Sequence, residues 1–157
     1  MSGYIMDLRK EVGHRPLLQV GASVIVEDEE GRILLQLRKD NKCWAYHGGS
    51  VELDEDVKEA ARREMFEETG LIADELNLFG VFSGPELHYI YPNGDEVSNV
   101  DCVFLCRKWH GEVKMQESEV LDLKFFHLDE IPDKLFTANI PALQAYVKKR
   151  KESIYES

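Results

Sequence analysis

Three glutamates, Glu64, Glu67 and Glu68, lie close together in the stretch ARREMFEETG. On an α-helix, at about 100° per residue, they occupy roughly a third of the circumference. This crowding is unfavourable, because like charges one turn apart repel and acidic groups near a helix C-terminus oppose the helix dipole. A hard divalent cation such as Mg²⁺ or Mn²⁺ would replace the repulsion with attraction, since it takes carboxylate oxygens as ligands. The alternative is an ordinary acidic helix end exposed to water.

The helix that carries these glutamates is predicted from its flanking residues. Asp54 is the predicted N-cap, the helix runs to Thr69, and Gly70 is the predicted C-cap. One and two turns before the glutamates, the same face carries small apolar residues, Val57, Ala60 and Ala61. Such a face is typical of a helix that packs against a sheet.

The glutamates belong to a longer pattern, G-x5-E-x7-R-E-U-x-E-E-x-G-U, in which U is apolar. Its positions are filled by Gly49, Glu55, Arg63, Glu64, Met65, Glu67, Glu68, Gly70 and Leu71. This pattern resembles the signature of the Nudix hydrolases, the MutT-like family. The resemblance extends more loosely over nearly the whole chain.

The resemblance implies hydrolysis of a nucleoside diphosphate linked to another group X, with water attacking phosphorus and Mg²⁺ or Mn²⁺ as cofactor. By analogy with the family, Glu64, Glu67 and Glu68 are metal ligands, and Glu64 is one candidate for the general base. Arg63 completes the catalytic set as the residue that orients a glutamate. An exposed helical arginine is the alternative for Arg63.

Two further metal contacts follow from the same resemblance, the backbone carbonyl of Gly48 and the carboxylate of Glu119, with Glu117 as a weaker option. Many relatives have Pro-Gly-Gly where this chain has His47-Gly48-Gly49. His47 either contacts the substrate or is a loop histidine without a chemical role.

The identity of X is not contained in the signature. The candidates are ADP-ribose or another nucleotide sugar, a nucleoside triphosphate, and the 5′ end of RNA; a non-catalytic sensor with the same fold is the alternative from another functional class. Two family markers of substrate type, a proline and a tyrosine, are both present, as Pro85 and Tyr89. Arg38 is a candidate phosphate contact, and Trp44 and Tyr89 are candidates for stacking on a base. A place in the core is the alternative for both aromatic residues.

Hydrophobic periodicity predicts an α+β protein or a mixed α/β sandwich with a helix on each side. The resemblance implies the Nudix fold, a mixed α/β/α sandwich in which the signature helix and a C-terminal helix cover a mixed sheet. We expect a hairpin of the first two strands and a turn at Tyr91–Asp95. The expected strands are Leu17–Val26, Arg32–Leu37, Leu76–Ser83, Leu87–Tyr91, Glu96–Trp109 and Leu121–Phe126. The other expected helices are residues 4–12 and Ile140–Lys151.

The whole chain limits location and partners. Its 157 residues suit one domain, residues 1–157, and contain neither a membrane-spanning apolar run nor an export signal, so a cytoplasmic location is expected. Three cysteines without a CxxC pair indicate packing residues. The net charge of −11 argues against duplex nucleic acid as a partner. The expected partner is a small nucleotide derivative; a homodimer stays open.

Overall fold

A computed structural model describes residues 3–156 of the chain. Two sheets and three α-helices make up the fold. The helices are α1 (Tyr4–Val12), α2 (Val57–Thr69) and α3 (Ile140–Glu156). The strands are β1 (Leu17–Val26), β2 (Ile33–Arg38), β3 (Trp44–Ala45), β4 (His47–Ser50), β5 (Ile72–Phe82), β6 (His88–Ile90), β7 (Glu96–His110) and β8 (Val120–Phe126). Within residues 3–156, no helix is both long enough and apolar enough to cross a membrane.

The larger sheet has the strand order β4-β1-β7-β5, with β6 pairing with β7 as well. Strands β1 and β7 are parallel along their whole shared length, while β4, β5 and β6 pair in the antiparallel sense. The smaller sheet has the order β3-β2-β8 and is antiparallel. The mixed sheet and its flanking helices confirm the predicted α+β class.

The predicted hairpin of the first two strands is wrong. The intervening turn does form, with the amide of Asp28 donating to the carbonyl of Arg32 at 2.9 Å. Beyond a single bridge between Glu27 and Ile33, however, the strands separate into different sheets. Strand β1 pairs with the distant β7, and β2 pairs with β8. The predicted turn at Tyr91–Asp95 is confirmed, since it joins the antiparallel pair β6 and β7.

Successive side chains of β1 point to opposite faces of the sheet, and these two faces contribute to two separate hydrophobic cores. Val24 and Val26 point to one side and pack with Ala60, Ala61 and Met65 of α2. Ile25 points to the other side, into the cluster that includes Ala142, Leu143 and Tyr146 of α3. This period of two, with apolar residues on both faces, is typical of a central strand covered on both sides. Helix α2 therefore lies on one side of the structure and α3 on the other.

The boundaries of α2 differ from the prediction at one end. The N-cap is Asp56 and not Asp54: the Asp56 side chain accepts hydrogen bonds from the amides of Lys58 and Glu59, whereas Asp54 lies in the preceding turn with φ of 63°. Gly70 is the C-cap, as predicted, in the left-handed conformation with φ of 78°. The predicted elements otherwise match to within a few residues, with β5 beginning earlier and α3 ending later than expected.

Candidate active site

Arg63 organises the acidic residues of α2. Its guanidinium binds the Glu55 carboxylate through two hydrogen bonds, of 2.8 and 2.9 Å. Its Nη1 donates to Glu64 Oε1 at 2.8 Å and to Glu67 Oε2 at 3.4 Å, and its Nη2 donates to the Ser50 carbonyl at 3.2 Å. These hydrogen bonds and charges, those of Glu55 foremost, raise the pKa of Arg63. The planar guanidinium thus contacts three glutamates at once.

Glu64 lies in a confined position against β4. A Cβ atom on Gly49 would come within 2.5 Å of the Glu64 carboxylate, so a larger residue here would displace that carboxylate. The Glu64 side chain is only 14% exposed. Burial, followed by the charge of Glu68, raises the pKa of Glu64 to about 7, although the hydrogen bond from Arg63 acts in the opposite direction. The ionised carboxylate is therefore destabilised where it lies.

Glu68 is held by hydrogen bonds from β2 and β4. Its Oε2 accepts a hydrogen bond from the Gly48 amide at 2.9 Å and another from Gln36 Nε2 at 3.2 Å. His47 is fully buried beside it and donates from Nε2 to the Leu34 carbonyl at 3.0 Å. Its Nδ1 lies 3.6 Å from Glu68 Oε2 and has no hydrogen-bond partner within residues 3–156. His47 is thus a core residue that contacts the site from behind.

Glu64 and Glu68 open into one cavity of about 580 Å³, which we call the carboxylate cavity. Glu119, from the loop before β8, and Asp40 line the same cavity, which brings its acidic side chains to four. Arg38 and Lys39 supply positive charge, and Tyr91 forms an aromatic wall. A ligand that entered here would meet both carboxylates and cationic side chains.

The predicted substrate contacts have different positions. Arg38 lines the carboxylate cavity, where Asp40 binds its guanidinium through bonds of 3.0 and 2.8 Å. Trp44 packs edge-to-face on Phe126 in the α3-side core, at 4.9 Å between ring centroids, which is the core alternative for that residue. Tyr89 packs between Tyr91 and Phe136 and accepts a hydrogen bond from Asn41. Tyr91, and not Tyr89, lines the carboxylate cavity.

The acidic residues suit a hard cation but do not form a ready-made cage. Among residues 3–156, no three His, Cys, Asp or Glu side chains converge closely enough to hold an ion. Arg63 holds Glu64 and Glu67, while Gly48 and Gln36 hold Glu68. The donor set, carboxylates together with backbone carbonyls, nevertheless consists of the oxygen ligands that Mg²⁺ takes.

Two polar features at the site escaped the sequence reasoning. Gln36 is buried in the otherwise apolar β2, and this interruption of RILLQL was the available signal. A buried network also lines a neighbouring cavity that shares Gly48 and Gly49 with the carboxylate cavity: Asp101 accepts hydrogen bonds from Ser23 at 2.7 Å and from the Tyr46 hydroxyl at 2.8 Å. The Asp101 carboxyl has a pKa raised by burial.

The family of this chain follows from its match to a family model. A family model described as NUDIX domain matches residues 17–146, which is most of the chain. This chain belongs to the NUDIX family. Every residue of the Arg63 network, from Ser50 to Glu67, lies within the matched region.

Several relatives and solved structures are similar to this NUDIX protein. The ADP-ribose pyrophosphatase of Methanocaldococcus jannaschii is 38% identical over 112 residues, which cover 69% of this chain and 62% of that protein. The NAD-capped RNA hydrolase NudC of Actinobacillus succinogenes is 32% identical, over 75% of this chain and 44% of that protein. The crystal structure of the MutT NUDIX hydrolase from Burkholderia pseudomallei matches with a TM-score of 0.70 and 30% identity, over 82% of this chain and 97% of that one. The chain thus spans less than two thirds of the first two relatives.

Proposed function

We propose that this protein hydrolyses a pyrophosphate bond in a nucleoside diphosphate linked to another group X, with Mg²⁺ or Mn²⁺ as cofactor. The observation that carries the proposal is the position of Glu64. Its confined carboxylate, held by Arg63 against Gly49, faces the same cavity as Glu68 and Glu119. A patch of this kind attracts an anionic diphosphate only when cations lie between the two.

Each residue of the site has a proposed task. Glu64, Glu67, Glu68, the Gly48 carbonyl and Glu119 would hold the cation. When bound, the cation neutralises charge on the diphosphate and lowers the pKa of a bound water. Arg63 orients Glu64 and Glu67. Glu64 would also accept the proton of an attacking water, and Arg38 and Lys39, which line the same cavity, would contact phosphate oxygens.

The sequence of the signature favours an enzyme over a sensor. A non-catalytic ligand sensor with this fold is the competing function, and it would not need the full acidic set. All nine signature residues are present, and the Glu55–Arg63–Glu64 chain of hydrogen bonds is complete. We also infer that residues 1–157 form one domain, that it acts in the cytoplasm, and that its partner is a small nucleotide derivative.

The named activities of the relatives define the test panel, because they differ in X. ADP-ribose, a nicotinamide dinucleotide cap on RNA and an oxidised purine triphosphate represent ADP-ribose pyrophosphatase, NudC and the putative 8-oxo-dGTP diphosphatase of Bacillus subtilis. Release of a nucleoside monophosphate from any of them is measured with Mg²⁺, with Mn²⁺ and with EDTA. We expect cleavage that depends on the metal. Equal turnover in EDTA would rule out the mechanism, and metal-dependent binding without cleavage would identify a sensor.

A matched pair of variants separates chemistry from folding. Glu67→Gln removes a proposed ligand, whereas Glu59→Gln neutralises an exposed glutamate two turns earlier on the same helix, where it pairs only loosely with Arg62 at 3.5 Å. We expect Glu67→Gln to lose activity and Glu59→Gln to retain it. Equal losses in the two variants would indicate a general effect of charge on the helix.

A further inference from the structure

Helix α1 lies outside the part of the chain that matches the NUDIX family, yet it forms a wall of a second cavity. This cavity measures about 530 Å³ and lies between α1 and the turn that joins β6 to β7. Ile5 and Met6 line it from α1, and Pro92 and Asn93 line it from the turn. We call it the α1 groove.

The α1 groove is continuous with the carboxylate cavity. Both are lined by Gln19, Asp40, Ser50, Tyr91 and Glu119. Ser50 immediately follows the Gly48–Gly49 pair, and its carbonyl accepts a hydrogen bond from Arg63. A molecule with a diphosphate beside Glu64 and Glu68 therefore has a direct route into the α1 groove for a group attached to that diphosphate.

Helix α1 is fixed in place by polar contacts as well as by packing. Arg9, which is only 8% exposed, donates to the carbonyls of Gly13, Arg15 and Glu96 at 3.0, 2.6 and 2.7 Å. At the start of the helix, the Tyr4 amide donates to the Glu52 carboxylate at 3.2 Å. These contacts give the groove a defined wall.

The same contacts connect α1 to the site. The Glu52 amide donates to Glu55 Oε1 at 3.1 Å, and Glu55 in turn binds Arg63. The wall of the groove and the residue that orients Glu64 thus belong to one hydrogen-bonded chain.

The lining of the α1 groove indicates what chemistry it accepts. The groove is lined by three carboxylates, those of Asp40, Asp95 and Glu119, and by one guanidinium, that of Arg9. Arg9 lies 3.8 Å from Asp95 and donates to backbone carbonyls, so the carboxylates outnumber the cation. An additional phosphate would be repelled by these carboxylates. Hydroxyl groups, in contrast, donate hydrogen bonds to carboxylate and amide oxygens, and the carbon face of a sugar ring can pack against side chains such as Met6.

We propose that the α1 groove binds X, and that X is an uncharged group rich in hydroxyls, such as a sugar joined through its phosphate to the nucleotide. This inference rests on the proposed function. It makes sugar nucleotides better substrates than nucleoside triphosphates, in which X is only a phosphate and does not reach α1.

The test compares substrates that share adenosine diphosphate and differ in X: ADP-ribose, ADP-glucose and ATP. Met6→Trp fills the groove at a position that is 50% exposed on α1. Glu11→Trp, at an exposed position on the same helix, is the matched control. We expect Met6→Trp to lower kcat/KM for the sugar nucleotides about tenfold, the scale on which a misfitting group is rejected by a pocket. For ATP, kcat/KM should stay within about twofold of wild type.

Met6→Phe provides a smaller change of the same sign, and thermal melts confirm that each variant is folded. Preference of the wild type for ATP, or an equal effect of Met6→Trp on ATP and on the sugar nucleotides, would overturn the groove assignment while leaving the proposed function intact. Metal-dependent cleavage of none of the three, together with none of the earlier panel, would reject the proposed function and the groove assignment with it.

Discussion

The pKa of Glu64 predicts an unusual dependence of stability on pH in the metal-free protein. Because the folded protein raises this pKa from 4.5 to about 7, it binds a proton that the unfolded chain has already lost between these pH values. The contribution of Glu64 to the free energy of unfolding therefore falls as pH rises through this interval and is constant above it. The full loss is about 3 kcal/mol, of which about 2.5 kcal/mol develops between roughly pH 5 and pH 8.

Glu64→Gln removes the titration and keeps an oxygen that can accept the hydrogen bond from Arg63. We expect the variant to gain stability relative to wild type by about 2 to 3 kcal/mol between pH 5 and pH 8. The assay is urea unfolding in EDTA at both pH values, with Glu59→Gln as the control for a plain change of charge. Addition of Mg²⁺ at pH 8 should stabilise wild type more than Glu64→Gln. A difference between wild type and Glu64→Gln that is the same at both pH values would refute the reasoning.

Three further predictions concern single contacts. Glu68→Gln should lower kcat on the order of 100-fold, because it removes a charge from the site, without lowering the melting temperature; unchanged kcat would contradict this. Gly49→Ala should reduce activity strongly, because its methyl group would meet the Glu64 carboxylate at 2.5 Å, and wild-type turnover would show that Glu64 can move away. Asp56→Ala should cost about 1 kcal/mol of stability through loss of the N-cap, and urea unfolding should detect no such loss for Asp54→Ala.

The sequence predicted the signature helix well because its determinants are local. Gly70 ends α2 through a left-handed conformation, and Val57, Ala60 and Ala61 form the apolar packing face that the spacing indicated. The N-cap was misplaced because the segment contains two aspartates, and their propensities are the same. Only the actual hydrogen bonds to Lys58 and Glu59 distinguish Asp56 from Asp54.

Long-range pairing limited the prediction of the sheets. A turn with glycine between two apolar strands is the usual sign of a hairpin, and the turn is present. Strand β1, however, forms its backbone pairing with β4 and the distant β7. Parallel pairing over such a separation leaves no local trace in the sequence. The place of β2 in the smaller sheet was not predicted for the same reason, since β2 pairs with the distant β8.

The acidic positions of the candidate site were predictable and the aromatic ones were not. The spacing of Glu64 and Glu68 places both on one helix face, which the structure turns toward one cavity. Trp44 and Tyr91 both follow the pattern of aromatic residues in or near strands, yet Trp44 packs on Phe126 while Tyr91 lines the cavity. The side to which such a ring points depends on which sheet its strand joins, and this depends on the long-range pairing.

The most direct test of the account is the binding of a non-hydrolysable ADP-ribose analogue, with a methylene group in place of the bridging oxygen, measured by calorimetry with Mg²⁺ and with EDTA. We predict that the analogue binds in Mg²⁺ and that binding is lost in EDTA, because the carboxylates of Glu64 and Glu68 repel a bare diphosphate. Equally tight binding in EDTA would contradict the claim that a divalent cation joins this acidic patch to its substrate.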